Sequence, residues 1–215
     1  MLTDFFRDPV AGIAFLIAFI VALTFHEFCH GLVAKLQGDD TAERLGRLTL
    51  NPIPHIDPIG LMAAVFAGFG WAKPVPYNPY NLRNQTWGPV LVAIAGPLAN
   101  FLLFVLTAFA FRGLAATGVV AESSALWTFL GALITVNIIL FAFNLIPIPP
   151  LDGSKILLLA LQHPKHAKTR YWLETQGPTV LIIAILVDAF MLNGAFFGTI
   201  VGTISSTAFR LVGLT

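Results

Sequence analysis

Four stretches of this chain are long and apolar enough to cross a lipid bilayer, and they restrict its fold more than any other feature. A hydrocarbon core about 30 Å thick asks for roughly 20 apolar residues at about 1.5 Å each. The first stretch runs from about Ala11 to Leu36 and is interrupted by His26, Glu27 and His30. The second spans Pro89 to Phe111, and the third runs from Ala125 to Ile146, before Pro147-Ile148-Pro149-Pro150. The fourth begins at Pro178 and stays apolar to about Phe209, either as one long tilted helix or as two short pieces broken at Asn193-Gly194. Only 11% of the residues are charged, where a soluble domain carries about 25%, so the exterior itself is apolar and faces lipid. Backbone groups in lipid find no water to bond, which leaves helices as the natural spanning element. The expected fold is therefore an all-α polytopic membrane protein of about four to six transmembrane helices. It forms one integral membrane domain over residues 1–215, with a core at 11–160 and a C-terminal helical region at 175–213. A net charge of +1 gives no sign of a nucleic-acid partner. The first residues carry Asp4, Arg7 and Asp8, a poor signal-peptide start, so the first span reads as a retained helix. Cys29 is the only cysteine, which excludes an internal disulfide and fits a small buried filler.

Between the first two spans the pattern changes. Arg44 to Asn51 alternates and contains β-branched Thr49, which predicts a strand, hence a small membrane-associated β element. Ile59 to Ala72 is apolar and glycine-rich but too short to cross, which suits a re-entrant or interfacial hairpin. Pro74 to Pro79 must be extended or turning, and Trp71, Tyr77 and Tyr80 suit a headgroup boundary. With the Met1 end outside, the inner segments hold Lys35, Arg44, Arg47, Lys73, Arg83, Lys155, Lys165, Lys168 and Arg170, and the outer ones only Arg7, Arg112 and Arg210. Nine cations against three is the positive-inside bias, so the first and third spans end on the cytosolic side.

The chemistry gathers in His26-Glu27-Phe28-Cys29-His30. Helical residues four apart share a face, so both imidazoles reach one ion, and Glu27 can reach a water beside it as general base. Ionisable groups inside an apolar span are costly unless satisfied, and a metal satisfies two of them together. A catalytic zinc takes three protein ligands. Asp152 lies just past the third span, at the same depth as the histidines, and its spacing suits two roles: a third ligand, or an N-cap for a helix over Ser154 to Leu161. Asn144 precedes the proline break and suits a cap or a hydrogen-bond donor to substrate. Asn100 and Asn137 lie within spans, where amides commonly bond between helices. His55 sits in a proline-rich loop as an interfacial residue, while His163 and His166 belong to a basic loop suited to anionic lipid. Asp188, deep in the fourth stretch, must be protonated, paired or turned to a water-filled cavity.

HExxH in an apolar helix, followed far along the chain by the N-(x)7-DG pattern of Asn144 to Gly153, resembles the site-2 protease family. Arg47-Leu-Thr-Leu-Asn-Pro, His55-Ile-Asp-Pro, Gly70-Trp-Ala-Lys-Pro-Val-Pro and Ala95-Gly-Pro-Leu-Ala-Asn100 resemble its compact prokaryotic branch, the one without a PDZ domain. The likeness covers roughly Phe25 to Ile156. It implies one catalytic Zn2+ held by His26, His30 and Asp152, with Glu27 activating water and Asn144 steadying substrate or the developing oxyanion. It also implies a transmembrane protein or peptide as substrate, and a multi-pass protein of a prokaryotic plasma membrane with its site near the cytosolic side. A proteolytically inactive membrane metal-binding homologue or assembly factor is the alternative, and a small transporter is disfavoured because no inverted repeat is present.

Overall fold

The computed structural model describes residues 8–67 and 70–213; Arg7, and Gly68 and Phe69 within the expected hairpin, lie outside them. Helix α1 covers Pro9–Leu36 and opens with proline in its first turn, where a missing N–H costs nothing, while Asp8 accepts from the Ala11 amide at 3.0 Å. A short turn, α2 (Thr41–Arg44), follows, and then α3 (Pro58–Ala67). Asp57 caps α3 by accepting from the Ile59 and Gly60 amides at 2.9 and 2.8 Å. Helix α4 (Gly88–Thr117) ends at Gly118, whose φ of +63° is the left-handed conformation that glycine adopts without strain. Ser124 caps α5 (Ala125–Asn144) at the Trp127 amide, 3.2 Å away. Helices α6 (Ser154–Ala160), α7 (Ala167–Met191) and α8 (Ala195–Leu211) complete the chain. The fourth apolar stretch is thus two helices, parted where Asn193 and Gly194 both take positive φ.

Among the described residues, four helices are long and apolar enough to cross a membrane, namely α1, α4, α5 and the segment Pro164–Met191 that contains α7. The protein is a multi-pass membrane protein. Helices α1, α4 and α5 pack together as the core. Ala18 and Ala22 of α1 meet Leu133 and Val136 of α5, and such small residues let helix backbones approach closely where no water drives association. On the far side of α5, Ala208 of α8 and Val212 just past its end join Phe104 and Ala108 of α4 with Ile134 and Ile138. Phe197, at the start of α8, reaches Phe143 in the last turn of α5. Helix α8 therefore runs antiparallel to α5, and Arg112 of α4 pins its far end by donating to the Val212 carbonyl at 2.7 Å.

The expected β element is not present among the described residues. Arg44 to Asn51 forms the end of α2, a turn and bends, and the single bridge in the region joins Ile56 to Ala72. A strand needs a partner ladder for its N–H and C=O groups. Here Gly46 turns at φ +65°, and the Thr49 hydroxyl takes the Asn51 amide, so local bonds bend the segment. The hairpin-like return is real in a different form: α3 leaves from Asp57, and the chain comes back so that Lys73 N–H donates to the His55 carbonyl at 2.9 Å. Gly60 and Gly70 meet where this loop closes, at a spacing that leaves no room for a Cβ.

Candidate metal centre

Helix periodicity places His26 and His30 one above the other near the C-terminal end of α1, their rings perpendicular with centroids 4.5 Å apart. The candidate ligand atoms of His26, Glu27 and His30 lie within 4.8 Å of one another. Asp152 arrives from the loop after α5, its Oδ2 3.1 Å from His26 Nε2 and 3.4 Å from His30 Nε2. Zinc bonds of about 2.0–2.2 Å in a tetrahedron separate neighbouring ligand atoms by about 3.4 Å, so these gaps match a shared ion.

Each ring is oriented by its other nitrogen. His26 Nδ1 lies 2.6 Å from Asn100 Oδ1, and His30 Nδ1 lies 2.7 Å from the Val92 carbonyl. Oxygens of that kind only accept, so in the neutral ring the proton sits on Nδ1 and Nε2 is left with a free lone pair aimed inward. Asn100 is itself fixed: its amide donates to the Ala22 carbonyl at 3.1 Å and to Asn137 Oδ1 at 2.9 Å, and Asn137 donates to the Leu133 carbonyl at 2.8 Å. Both asparagines are fully buried. Gly96 brings the α4 backbone against the two imidazoles, where any Cβ would strike both rings.

Asp152 Oδ2 is buried with no hydrogen-bond donor. Two imidazole lone pairs and a carboxylate converging on one point repel one another, and a divalent cation at that point removes the repulsion. The residues fit zinc. The N-cap role for Asp152 is not what the fold uses, since Gly153 occupies the cap of α6 and no side chain bonds there. Gly153 is needed next to Asp152 because a Cβ would collide with the Leu145 and Ile146 carbonyls as the loop folds back.

Residues 113–186 match peptidase family M50. The chain is 45% identical over 149 residues to the Bacillus subtilis protein named "Putative zinc metalloprotease YwhC". The chain is similar to peptidase family M50, the site-2 proteases, over these residues. The YwhC alignment covers 66% of each protein, just short of two thirds. Rip2 proteins of Mycolicibacterium smegmatis and Mycobacterium tuberculosis, which carry the same description, are each 28% identical, over 83% and 84% of this chain and 68% and 69% of their own. No solved structure gives a significant match.

The remaining candidates fall outside this cluster. Asn144 turns its amide into its own helix, donating to the Leu140 carbonyl at 3.0 Å, while its main-chain carbonyl takes Gly153 N–H at 2.7 Å. His55 is buried, with Nε2 2.8 Å from the Thr49 carbonyl, and braces the loop ahead of α3. His163 accepts from the Lys165 amide in the exposed loop before α7, and His166 directly precedes that helix. Asp188 spends both carboxylate oxygens on the Phe196 and Phe197 amides at 2.8 and 3.1 Å, capping α8 across the turn. The residues that sequence reasoning underweighted are Gly96 and Asn100. The Gly-Pro pair inside an otherwise unbroken span was the available signal for the first, since a glycine there marks a close approach.

Proposed function

We propose that the chain is an intramembrane zinc metalloprotease that hydrolyses peptide bonds of transmembrane substrate segments near the cytosolic face of a prokaryotic plasma membrane. His26, His30 and Asp152 would hold one Zn2+, which supplies Lewis-acid polarisation of a carbonyl and acidification of a water. Glu27, adjacent in sequence to the first ligand and buried, takes the proton of the attacking water and delivers it to the leaving amine. Asn144 borders the Asp152 loop, and on turning its amide away from Leu140 it donates to the substrate carbonyl. Water enters at the mouth where Asp152 sits, so the site needs no path through the bilayer centre. The cation-rich loops at that end support the cytosolic assignment.

The observation that carries this reading is the meeting of Asp152 Oδ2 with both Nε2 atoms, 3.1 and 3.4 Å away, across helices far apart in sequence. The test compares zinc content and cleavage of a single-span substrate in reconstituted wild type and Glu27→Gln. The expected outcome is stoichiometric zinc in both, with cleavage reduced about 10²- to 10⁴-fold in the variant. Full cleavage by Glu27→Gln would sink the proteolytic reading, and full zinc without cleavage in the wild type favours the inactive metal-binding homologue.

A further inference from the structure

Among the described residues Glu27 accepts one hydrogen bond from outside its own helix: Val75 N–H donates to its Oε2 at 2.7 Å. Val75 stands between Pro74 and Pro76, and neither proline has an N–H. This amide is therefore the only main-chain donor that residues 74–76 can offer, and it is spent on the carboxylate.

The extended segment from Lys73 to Asn78 lies across the C-terminal end of α1, and other groups fasten both of its ends. At one end, Arg47 Nη2 donates to the Lys73 carbonyl at 2.7 Å, and Lys73 N–H donates to the His55 carbonyl at 2.9 Å. At the other, Asn78 N–H donates to Asp39 Oδ2 at 2.7 Å, and Asn81 donates to Asp39 Oδ1 at 2.8 Å. Asp39 is fully buried just past the end of α1 and also takes the Thr41 hydroxyl at 2.6 Å. Val75 rests its side chain over Gly31, where an added Cβ would lie 3.3 Å from Val75 Cγ1. The prolines preset φ, so the segment loses little further entropy in holding this shape. A strap secured at both ends does not need Glu27 to hold it in place. The dependence runs the other way: the strap holds the carboxylate.

We propose that the Pro74-Val75-Pro76 strap is a positioning element of the hydrolytic site, its single amide holding one oxygen of Glu27 so that the other faces the water and the metal centre. This rests on the reading of Glu27 as general base. A carboxylate on a flexible side chain would otherwise divide its time among rotamers, including ones that reach the ligand histidines. A backbone donor orients the carboxylate without competing for protons, because an amide does not titrate.

The test uses the full-length, zinc-loaded chain in nanodiscs. Val75→Pro removes the amide proton together with the valine side chain, and Val75→Ala, which removes the side chain but keeps the amide, is its control. Val75→Pro should lower kcat about 10- to 100-fold with KM within about twofold and zinc retained, and Val75→Ala should recover most of the loss. A second measurement does not depend on cleavage. Hydrogen exchange at the Val75 amide should be protected in the wild type and at least about tenfold faster in Glu27→Ala. Wild-type kcat in Val75→Pro, or unchanged Val75 exchange in Glu27→Ala, overturns the proposal. If Val75→Pro fails to fold, the exchange measurement decides alone. Full cleavage by Glu27→Gln would instead strike the proteolytic reading, leaving the exchange result to judge the strap by itself.

Discussion

Two regions of this protein bury polar side chains inside apolar helices, and they use them in opposite ways. In the bundle of α1, α4 and α5, Leu133, Asn137, Asn100 and His26 form a chain of hydrogen bonds that ends in an imidazole nitrogen with no partner but the metal point. At the α7–α8 turn, Asp188 is as deeply buried as His26, yet both of its oxygens are consumed by the first amides of α8. Desolvation is costly in both places and is offset in both. The difference lies in what remains unspent. The bundle leaves two Nε2 lone pairs and Asp152 Oδ2 directed at one another, whereas the turn leaves nothing free. A buried polar residue in a span is thus a structural cap or a chemical site according to whether its network closes.

The comparison breaks most visibly at the unspent atoms. Asp152→Ala should leave the bundle folded but reduce zinc to well below one ion per chain and abolish cleavage, as metal analysis and a reconstituted cleavage assay would reveal; retained stoichiometric zinc would mean that the carboxylate is not a ligand. One step back along the network the effect should be smaller. Asn100→Ala frees the His26 ring to rotate and should weaken zinc affinity about 10- to 100-fold by competition with a chelator, with the helical spectrum unchanged. An unaltered affinity would show that the asparagine relay only packs helices. The smallest effect belongs to the closed network. Asp188→Ala should lower stability by about 1–2 kcal/mol in a thermal or denaturant melt and leave zinc affinity untouched, while Asp188→Asn, which keeps one acceptor but turns an NH2 towards the second amide, should recover only part of the loss. A change in zinc affinity in either Asp188 variant would erase the contrast between the two regions.

Much of the architecture was legible because lipid imposes simple rules. The first three spans appear within a few residues of where their apolar runs lie, and the break at Asn193-Gly194 settles the fourth stretch as two helices. The strand expected at Arg44 to Asn51 failed because alternation describes a face, not a partner, and among the described residues no neighbouring backbone pairs with it. The histidine pair could be read locally, being set by helical spacing alone. The roles of Asp152, Asn100, Gly96 and Val75 could not be, since each depends on which backbone passes within a few ångströms of another far away in the chain. For Asp152 the sequence left cap and ligand both open, and only the closing of the loop through Gly153 frees its carboxylate from helix α6.

What the amino-acid order decided unaided was periodic and local: apolar lengths that match a bilayer, cations gathered in alternate connecting segments, and two imidazoles with a carboxylate on one turn of helix. What only the folded chain decided was convergence: an aspartate past the third span brought to those imidazoles, and a proline-bound amide brought to the glutamate. The physical reason is that a repeat along a helix is fixed by covalent geometry, whereas contact between distant segments is fixed by which buried groups still lack a partner once the helices have packed.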